Sequence, residues 1–571
     1  MRSIRVIILL LAFVIVAFLS LVGRCFYLQF LKSDYYYSAC MKQQQRREPQ
    51  QPQRGAVLDC RGRVLAASDK IQIVFAEPRA IIDAKKVSNK LQPILDMSAQ
   101  KICKLITESR NPGFVKIKTG TAVDEYSALT GIYGIGIQSE WQRHYPAGPL
   151  AAHVVGFTSV DNRGLGGVEL RCDKELAGSP AQSIFFADAP PYRRPIRLKE
   201  QSGVLRDGFG IILTLDATIQ QFARAELMKQ YKSYEAESAV AIVVEPKTGA
   251  ILAMVSLPDF DPNNIQSANP NNLCNRAITE QFEPGSVLKP IIAAIAIDAG
   301  AVGLSEKIFC EYGSYHGKGF GQIGEYEGHR FGELTVREIL VNSSNIGMAK
   351  IGQKLGKDKL HEGLKVFGFG QKTGIDLPGE AEGLLWPVQK WTGYSVTRIP
   401  FGQEISVTAI QLIRAFCVLA NGGHAIQPYV VKVMVGNNGE IIKLKQPTPA
   451  VGFVIKPEVA QWVVTNALAG VVEEGTGKSA KLERWKVFGK TGTANIARSD
   501  QRGYAEDYIA SFVGGAPAEE PRVVVLVSIR KPNKRLGKGY TGGMVAAPVV
   551  GAILEKTLNY LERHDTAYSR Q

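Results

Sequence analysis

The chain has 571 residues, of which 45% are hydrophobic and 21% are charged, so it exceeds one compact core and its composition excludes a disordered chain. Its eight cysteines are too few for a disulfide scaffold, and no two have the C-x-x-C spacing of a zinc or redox site. Of the formal net charge of +15, a net +6 lies in residues 1–54 and another five basic residues lie between 530 and 538. This clustering indicates a membrane flank and a solvated loop, and we expect no nucleic-acid partner.

The first thirty residues predict a membrane anchor. An apolar run extends from Val6 to Val22, and as a helix it is long enough to cross a hydrocarbon core of about 30 Å. Arg2 and Arg5 precede the run and favour a cytoplasmic N-terminus, with the rest of the chain exported. The alternative is a cleaved secretory signal, but small residues would then follow the run, whereas Arg24 follows it here. No second run of this length occurs, so we expect a single-pass protein in the cytoplasmic membrane.

The next region carries no convincing catalytic set. Residues 41–54 are polar and rich in Gln and Pro, which predicts an extended tether and not a packed element. From 55 to 200, short β-branched runs such as Gln72–Phe75 alternate with Gly and Pro. We therefore divide the chain into a tail and anchor at 1–30, a tether with an irregular β-rich domain at 31–205, and a third domain at 206–571.

The third domain combines strands at both ends with helices between them. A buried-strand pattern over 210–216 leads into a helical pattern over 219–231, and two apolar strands at 239–244 and 250–255 form a predicted hairpin. Near the end of the chain, two more strands at 508–516 and 523–529 precede a helix at 547–561. This order predicts a mixed α/β or α+β domain.

The sharpest catalytic candidate is Glu283-Pro-Gly-Ser286-Val-Leu-Lys289-Pro290, which is followed by a long apolar helical pattern. Spacing of three residues on a helix brings Ser286 and Lys289 to one face. Because Pro290 cannot donate a hydrogen bond to the carbonyl of Ser286, we expect an irregular or 3₁₀ first turn. Serine needs a neighbouring base to act as a nucleophile, and a lysine of lowered pKa can be that base.

Short motifs of this kind recur in the chain, so their context has to select among them. Ser-x-x-Lys begins at 98, 286 and 528, Ser-x-Asn begins at 267 and 343, and Lys-Thr-Gly begins at 118, 247, 372 and 490. The copies at 247 and 372 lie in a turn and a loop, the copy at 118 lies in the non-catalytic region, and the copy at 528 runs into the basic loop. What remains is an ordered set: Ser286 with Lys289, Ser343 with Asn345, and Lys490-Thr491-Gly492-Thr493.

With this set the chain resembles the penicillin-binding proteins, the serine D,D-transpeptidases that cross-link peptidoglycan. RGAVLDCRGRVLA at 54–66 is similar to the opening motif of class B members, which carry an anchor and a non-catalytic pedestal, and GLGGVELRCDKELAG at 164–178 is similar to that pedestal. SSNIGMAKIG at 343–352 and YIASFVGGAP at 508–517 resemble the β-lactamase-like transpeptidase domain, in which helices flank a mixed sheet. The latter two segments look more like division-type than elongation-type members. The chain departs from the opening motif at Cys60 and Arg61, where we expect a difference in domain packing.

The resemblance implies roles for the catalytic residues. Ser286 would attack the carbonyl between the two terminal D-alanines of a stem peptide, with Lys289 as the base. Lys490, if close, would lower the pKa of Lys289 by like-charge repulsion. Ser343 would relay a proton to the leaving amine, and Asn345 would orient Lys289 and contact the peptide.

The third motif would bind the substrate. Lys490, Thr491 and Thr493, with Gly492 between them, would hold the terminal carboxylate, because a cation with hydroxyl donors suits that anion. The N–H groups of Ser286 and Thr493 would form the oxyanion hole, a contribution of about 3 kcal/mol per donor. A β-lactam would be trapped as an ester on Ser286.

Three alternatives to this division-type transpeptidase stay open: an elongation-type transpeptidase, a β-lactam-hydrolysing enzyme or sensor of the same fold, and a catalytically silent scaffold of the division machinery. We expect no metal, no cofactor and no glycosyltransferase activity. The expected partners are stem peptides, β-lactams, membrane lipid, a polytopic glycosyltransferase and other division proteins, and the expected location is the septal part of the cytoplasmic membrane.

Overall fold

The computed structural model describes residues 2–120, 129, 131–186, 196–202, 204–445, 452–498 and 503–568. It divides into two compact units. The first consists of Met1–Gln53 and Gly178–Gly208, and the second of Arg54–Ala177 and Phe209–Gln571.

The first unit begins with the apolar helix that the sequence predicts. An α-helix spans Arg2–Phe26 and continues through the π-helical turn Tyr27–Leu31, and its large apolar side chains are exposed. The segment Ser3–Leu31 is, by length and composition, able to cross a membrane. A second helix follows at Ser33–Gln44.

The prediction of an extended tether over 41–54 is wrong in part. Its first residues end the helix Ser33–Gln44, and Gln45–Gln50 form a strand that pairs antiparallel with Ala181–Phe186, which in turn pairs with Ile196–Ser202. Polar composition does not exclude a strand, because the ladder is made by the backbone. Pro49 has no N–H to donate, but its strand lies at the edge of this three-stranded sheet and needs partners on one side only.

The second unit contains a seven-stranded mixed sheet that joins the region before residue 178 to the region after residue 209. Its strands run in the order Ile441–Leu444, Val431–Val435, Gly210–Leu213, Val57–Leu58, Val64–Ala76 and Val115–Thr119, with Ile135–His144 also paired to Val64–Ala76. The pairing of Val57–Leu58 with Gly210–Leu213 is parallel. The helices Ala84–Leu95 and Ala99–Thr107 share a core with the strands on the Val115–Thr119 side.

Asp216 connects the opening motif to the last helix of the chain. Its carboxylate caps the helix Ala217–Ser233 by accepting from the Thr218 N–H at 2.9 Å. It also accepts from Arg61 Nε at 2.7 Å, from Arg63 Nη2 at 2.5 Å and from the Tyr560 hydroxyl at 3.0 Å. Arg61, one of the two departures from the family motif, therefore binds an aspartate of the third domain.

The second sheet of this unit has five strands and is antiparallel throughout. Its order is Ile251–Leu257, Ser238–Val244, Val523–Arg530, Tyr504–Ala516 and Phe488–Ala497. The predicted hairpin and the two predicted C-terminal strands are thus confirmed. Alternate residues of Ser238–Val244 enter two different cores, as the period of two requires.

Helices cover both faces of the five-stranded sheet. Ala217–Ser233 and the C-terminal helix Ala547–Tyr568, longer than predicted, cover one face. Lys289–Asp298 and Ala409–Ala420 lie in the core of the other face, and Lys289–Asp298 is apolar on every side, as befits a helix enclosed by protein. Other α-helices in the described residues of this unit are Ala152–Val155, Gly167–Arg171, Asp173–Ala177, Arg276–Thr279, Val336–Val341, Asn345–Leu355, Lys357–Val366, Gly393–Arg398, Pro457–Trp462, Ala469–Glu473 and Gly542–Val545. Three two-stranded ladders pair Gln281–Phe282 with Val407–Thr408, Lys307–Phe309 with Glu333–Thr335, and Ser314–Gly317 with Gly321–Gly324.

Candidate active site

Ser286 lies in a 3₁₀ turn, Gly285–Leu288, that leads directly into the helix Lys289–Asp298. The turn is the irregular start that Pro290 predicts, since Pro290 cannot donate the hydrogen bond that would continue an α-helix back to Ser286. Gly285 has a φ of +54°, and its N–H donates to the carbonyl of Gly402 at 3.1 Å. The local sequence thus presents the Ser286 hydroxyl at the entrance to a buried helix.

The Ser343–Asn345 turn forms the second part of the site. Ser343 has a φ of +57°, a left-handed conformation that is unfavourable for a residue with a side chain. Ser344 caps the helix Asn345–Leu355 by accepting from the Gly347 N–H at 2.9 Å. The strained residue therefore lies between the end of the helix Val336–Val341 and a capped helix start.

The third part is the edge strand Phe488–Ala497, which lies against the 3₁₀ turn. A Cβ at Gly492 would lie 2.4 Å from Val287 Cγ2 and 3.1 Å from the carbonyl oxygen of Pro284, so only glycine fits. The neighbouring threonines are anchored: the hydroxyls of Thr491 and Thr476 are 2.7 Å apart, and Thr493 Oγ1 accepts from the Gly542 N–H at 3.1 Å.

Two lysines meet at the hydroxyl of Ser343. Lys289 Nζ is 3.2 Å and Lys490 Nζ is 3.0 Å from Ser343 Oγ, and both lysines are fully buried. Lys289 also donates to the Ser343 carbonyl at 2.6 Å and to Asn345 Oδ1 at 2.8 Å. Lys490 donates in addition to the Thr491 carbonyl at 3.1 Å.

Burial lowers the pKa of both lysines. The pKa of Lys289 falls to about 7 because its ammonium form is desolvated, an effect that the negative charge of Glu325 partly opposes. Desolvation and then the charge of Lys289 lower the pKa of Lys490 well below its usual value. The repulsion between the two ammonium groups contributes to the lowered pKa of Lys490. That Lys490 in turn lowers the pKa of Lys289 stays a prediction.

The eight residues selected from the sequence come together around one cavity of about 510 Å³. Ser286, Ser343, Asn345, Thr491 and Thr493 line it. The buried Lys289 and Lys490 lie behind this wall, and Gly492 packs on the 3₁₀ turn. None of the other motif copies, at 98, 118, 247, 267, 372 and 528, lines the cavity.

Sequence reasoning missed other side chains of the cavity, and two of these contact the selected residues. Thr476 lines the cavity and contacts Thr491, and Glu325 lines it and contacts the Ser343–Asn345 turn. Glu325 lies in a Gly-rich segment eighteen residues before Ser343, and no helical or strand period connects the two. No local signal in a single sequence could have indicated it.

The Ser286 hydroxyl makes no hydrogen bond to another described residue, and in a free enzyme such contacts are often long and tighten only with substrate. Within the described part of the chain, no group of three or more His, Cys, Asp and Glu side chains could hold a metal ion. A serine hydroxyl next to amines of lowered pKa is typical of acyl-transfer enzymes that use lysine as the base.

Comparison with known proteins shows which family of acyl-transfer enzymes the chain resembles. Residues 239–555 match the penicillin-binding protein transpeptidase domain, and residues 49–202 match the penicillin-binding protein dimerisation domain. The chain therefore belongs to the penicillin-binding protein family. The two matches fall inside the domains predicted at 206–571 and 31–205, whose boundaries stay a prediction.

Relatives resemble the chain over nearly its whole length. It is 35% identical to stage V sporulation protein D of Bacillus subtilis over 96% of this chain and 84% of that protein. It is 30% identical to the peptidoglycan D,D-transpeptidase FtsI of Escherichia coli over 95% of this chain and 89% of that protein. Penicillin-binding protein 3 of Mycobacterium tuberculosis, solved with aztreonam, superposes with a TM-score of 0.69 at 25% identity, covering 90% of this chain and 97% of that one.

Proposed function

We propose that the protein is a peptidoglycan D,D-transpeptidase that cross-links stem peptides through an acyl-enzyme on Ser286. The observation that carries this proposal is the Ser343 hydroxyl held between two buried lysines beside Ser286 in one cavity. The names of two relatives, FtsI and the Neisseria protein PenA, which are both called peptidoglycan D,D-transpeptidases, support the same reaction.

In the acylation step, Lys289 accepts the proton of Ser286 as its oxygen attacks the carbonyl between the terminal D-alanines. A pKa of about 7 suits this step, since a general base works best when its pKa is near the working pH. The N–H groups of Ser286 and Thr493 stabilise the oxyanion. Ser343, in contact with both lysines, returns a proton to the leaving D-alanine.

Lys490, Thr491 and Thr493 bind the terminal carboxylate of the peptide. Arrival of this anion favours the ammonium form of Lys490 and so raises its pKa again. After D-alanine leaves, the amine of a neighbouring stem peptide attacks the ester, and the cross-link forms. A β-lactam instead leaves its amine tethered in the cavity, so the ester persists.

We also propose a location and a cellular role. The helix Ser3–Leu31 anchors the protein in the cytoplasmic membrane, Arg2 and Arg5 keep the N-terminus inside, and the remainder works outside the membrane. Similarity to FtsI supports a role in septal wall synthesis beside a polytopic glycosyltransferase and other division proteins, and similarity to a protein named for sporulation favours sporulation as a second setting.

Mass-spectrometric mapping of a penicillin adduct tests the reaction and the orientation together. A labelled penicillin that cannot cross the cytoplasmic membrane is applied to intact cells, and we expect a stable adduct on Ser286 that is lost in Ser286→Ala. Microscopy of the same cells should show the label at septa. No stable adduct, or an adduct on another serine, contradicts the proposal; rapid loss of the adduct supports a hydrolase, and an adduct without cross-linking of lipid-linked substrate supports a silent scaffold.

A further inference from the structure

We propose that Glu325 is a positioning residue for the reaction at Ser286: its carboxylate holds the Ser343–Asn345 turn in the geometry in which Lys289 and Lys490 share the Ser343 hydroxyl. This inference rests on the proposed function. Glu325 contacts neither lysine by a hydrogen bond and acts through the turn and through its charge.

The carboxylate of Glu325 accepts three hydrogen bonds from the residues that follow Ser343. The donors are Ser344 Oγ at 2.5 Å, the Asn345 N–H at 2.7 Å and the Ile346 N–H at 3.3 Å. The two N–H groups lie at the start of the eleven-residue helix Asn345–Leu355 and therefore have no carbonyl partner within that helix. The helix dipole also favours a negative charge at this end. Glu325 thus fixes the residues immediately after the strained one.

The turn needs such support because Ser343 has a φ of +57°. A non-glycine residue keeps a left-handed conformation only where surrounding contacts over-determine it. Ser344 supplies one cap to the helix through Gly347, but that bond does not restrain the N–H of Asn345. The hydrogen bond from the Asn345 N–H to Glu325, two residues after Ser343, does restrain this N–H group.

The same segment sets the orientation of the Asn345 side chain. Asn345 Nδ2 donates to the carbonyl of Gly324 at 3.1 Å, which leaves Oδ1 to accept from Lys289 Nζ at 2.8 Å. Gly324 ends the strand Gly321–Gly324, and Glu325 is the next residue. One short segment therefore holds both the backbone and the amide of the residue that contacts Lys289.

Charge adds a second effect. Two charged groups face Lys289: Glu325, from the segment after Gly321–Gly324, and Lys490, from the edge strand Phe488–Ala497, which shares the Ser343 hydroxyl with it. Glu325 raises the pKa of Lys289 against the effect of burial. Loss of this carboxylate should therefore move the protonation of Lys289 to lower pH, which a merely structural residue would not do.

The test compares Glu325→Gln with Glu333→Gln in the full-length protein. Glu333 is exposed, lies eight residues further along the chain and does not line the cavity, so its variant removes the same charge without touching the turn or the site. The readout is the second-order rate of acylation by a fluorescent penicillin as a function of pH. For Glu325→Gln we expect the rate to fall about 10- to 100-fold, the usual effect of weakening a hydrogen bond to a charged group, and the acid limb of the profile to shift to lower pH. Glu333→Gln should leave both features unchanged.

A third variant guards against a general folding defect. Glu325→Asp keeps the charge on a shorter side chain, so we expect a reduced rate with the acid limb of the unchanged protein. A Glu325→Gln profile equal to that of Glu333→Gln, or a fall in rate with no shift of the acid limb, overturns the inference. Failure of the unchanged protein to be acylated would instead refute the proposed function, so the two failures are distinguishable.

Discussion

At the scale of single residues, the chemistry depends on two amines that burial deprives of solvent. Lys289 and Lys490 are both fully buried and both contact Ser343 Oγ, so they cannot easily carry two charges at once. The pKa of Lys289, at about 7, leaves a large neutral fraction near neutral pH. A lysine with its ordinary pKa would be almost wholly protonated there and could not accept the proton of Ser286.

The first prediction at this scale concerns pH. Acylation should be slow where Lys289 is protonated and should rise as the pH passes through about 7, where its amine becomes neutral and can accept a proton. Stopped-flow measurement of penicillin acylation across this range checks the expectation. Lys289→Arg is the control, since its guanidinium stays protonated and any residual rate should lack the rise. A wild-type rate that stays flat or falls with rising pH contradicts Lys289 as the base.

At the scale of elements, the site is formed where an edge strand and a helix start touch. The strand Phe488–Ala497 carries Lys490, Thr491 and Thr493, and the 3₁₀ turn Gly285–Leu288 carries Ser286. Gly492 allows the strand to lie directly on Val287, which keeps Thr491, Thr493 and Ser286 on the wall of one cavity. Close packing against Val287 thus explains why the third motif has a glycine at position 492.

Gly492→Ala should separate these two elements. Its Cβ would lie 2.4 Å from Val287 Cγ2, so the strand or the turn must move, and we expect a loss of about 1–3 kcal/mol in the free energy of unfolding together with a large loss of acylation. Thermal unfolding and the penicillin acylation rate measure the two effects. Gly303→Ala is a matched control, because its Cβ would meet only Glu306 Cβ at an ordinary 3.7 Å. Acylation by Gly492→Ala at the wild-type rate would show that the close approach is not required.

At the scale of the whole molecule, the second unit is built from two separate segments of the chain, Arg54–Ala177 and Phe209–Gln571. The seven-stranded sheet continues from Val57–Leu58 into Gly210–Leu213, and Asp216 binds Arg61, Arg63 and Tyr560. Burial alone would raise the pKa of Asp216, but hydrogen bonds from Arg61, the Thr218 N–H and Arg63 outweigh this effect and hold the pKa below its usual value. The stability of this unit should therefore depend on the charge of Asp216.

Asp216→Asn should lower the free energy of unfolding by about 2 kcal/mol at neutral pH, because two arginines lose a buried anionic partner. Since the folded pKa of Asp216 is depressed, its contribution is complete above the unfolded pKa of about 3.9 and is lost as the pH falls through the folded pKa. Thermal unfolding at neutral and acid pH should show the difference from wild type shrinking in acid. Glu520→Gln, which breaks the exposed pair with Lys247, should change stability little. A difference that persists unchanged in acid would contradict the role of the charge.

Much of the fold could be predicted because its elements are locally specified. The hairpin around Lys247, the C-terminal strands and the 3₁₀ turn before Pro290 each follow from period, turn residues or a missing N–H. The strand at Gln45–Gln50 escaped prediction because its pairing with Ala181–Phe186 involves backbone groups more than 130 residues apart in the chain. Its polar composition suggested an unpaired tether instead, because a single sequence does not show that the backbone of this segment pairs with a distant strand.

The sequence by itself determined the nature of the reactive groups and the order in which they occur: Ser286 with Lys289, Ser343 with Asn345, and Lys490 to Thr493. It also determined the apolar helix that is long enough to cross a membrane, since length and composition suffice for that property. Only the tertiary structure decided that burial lowers the pKa of Lys289, and that Glu325 accepts a hydrogen bond from the Asn345 N–H beside Ser343. Desolvation and long-range hydrogen bonds depend on what surrounds a side chain in space, and no local pattern of residues contains that information.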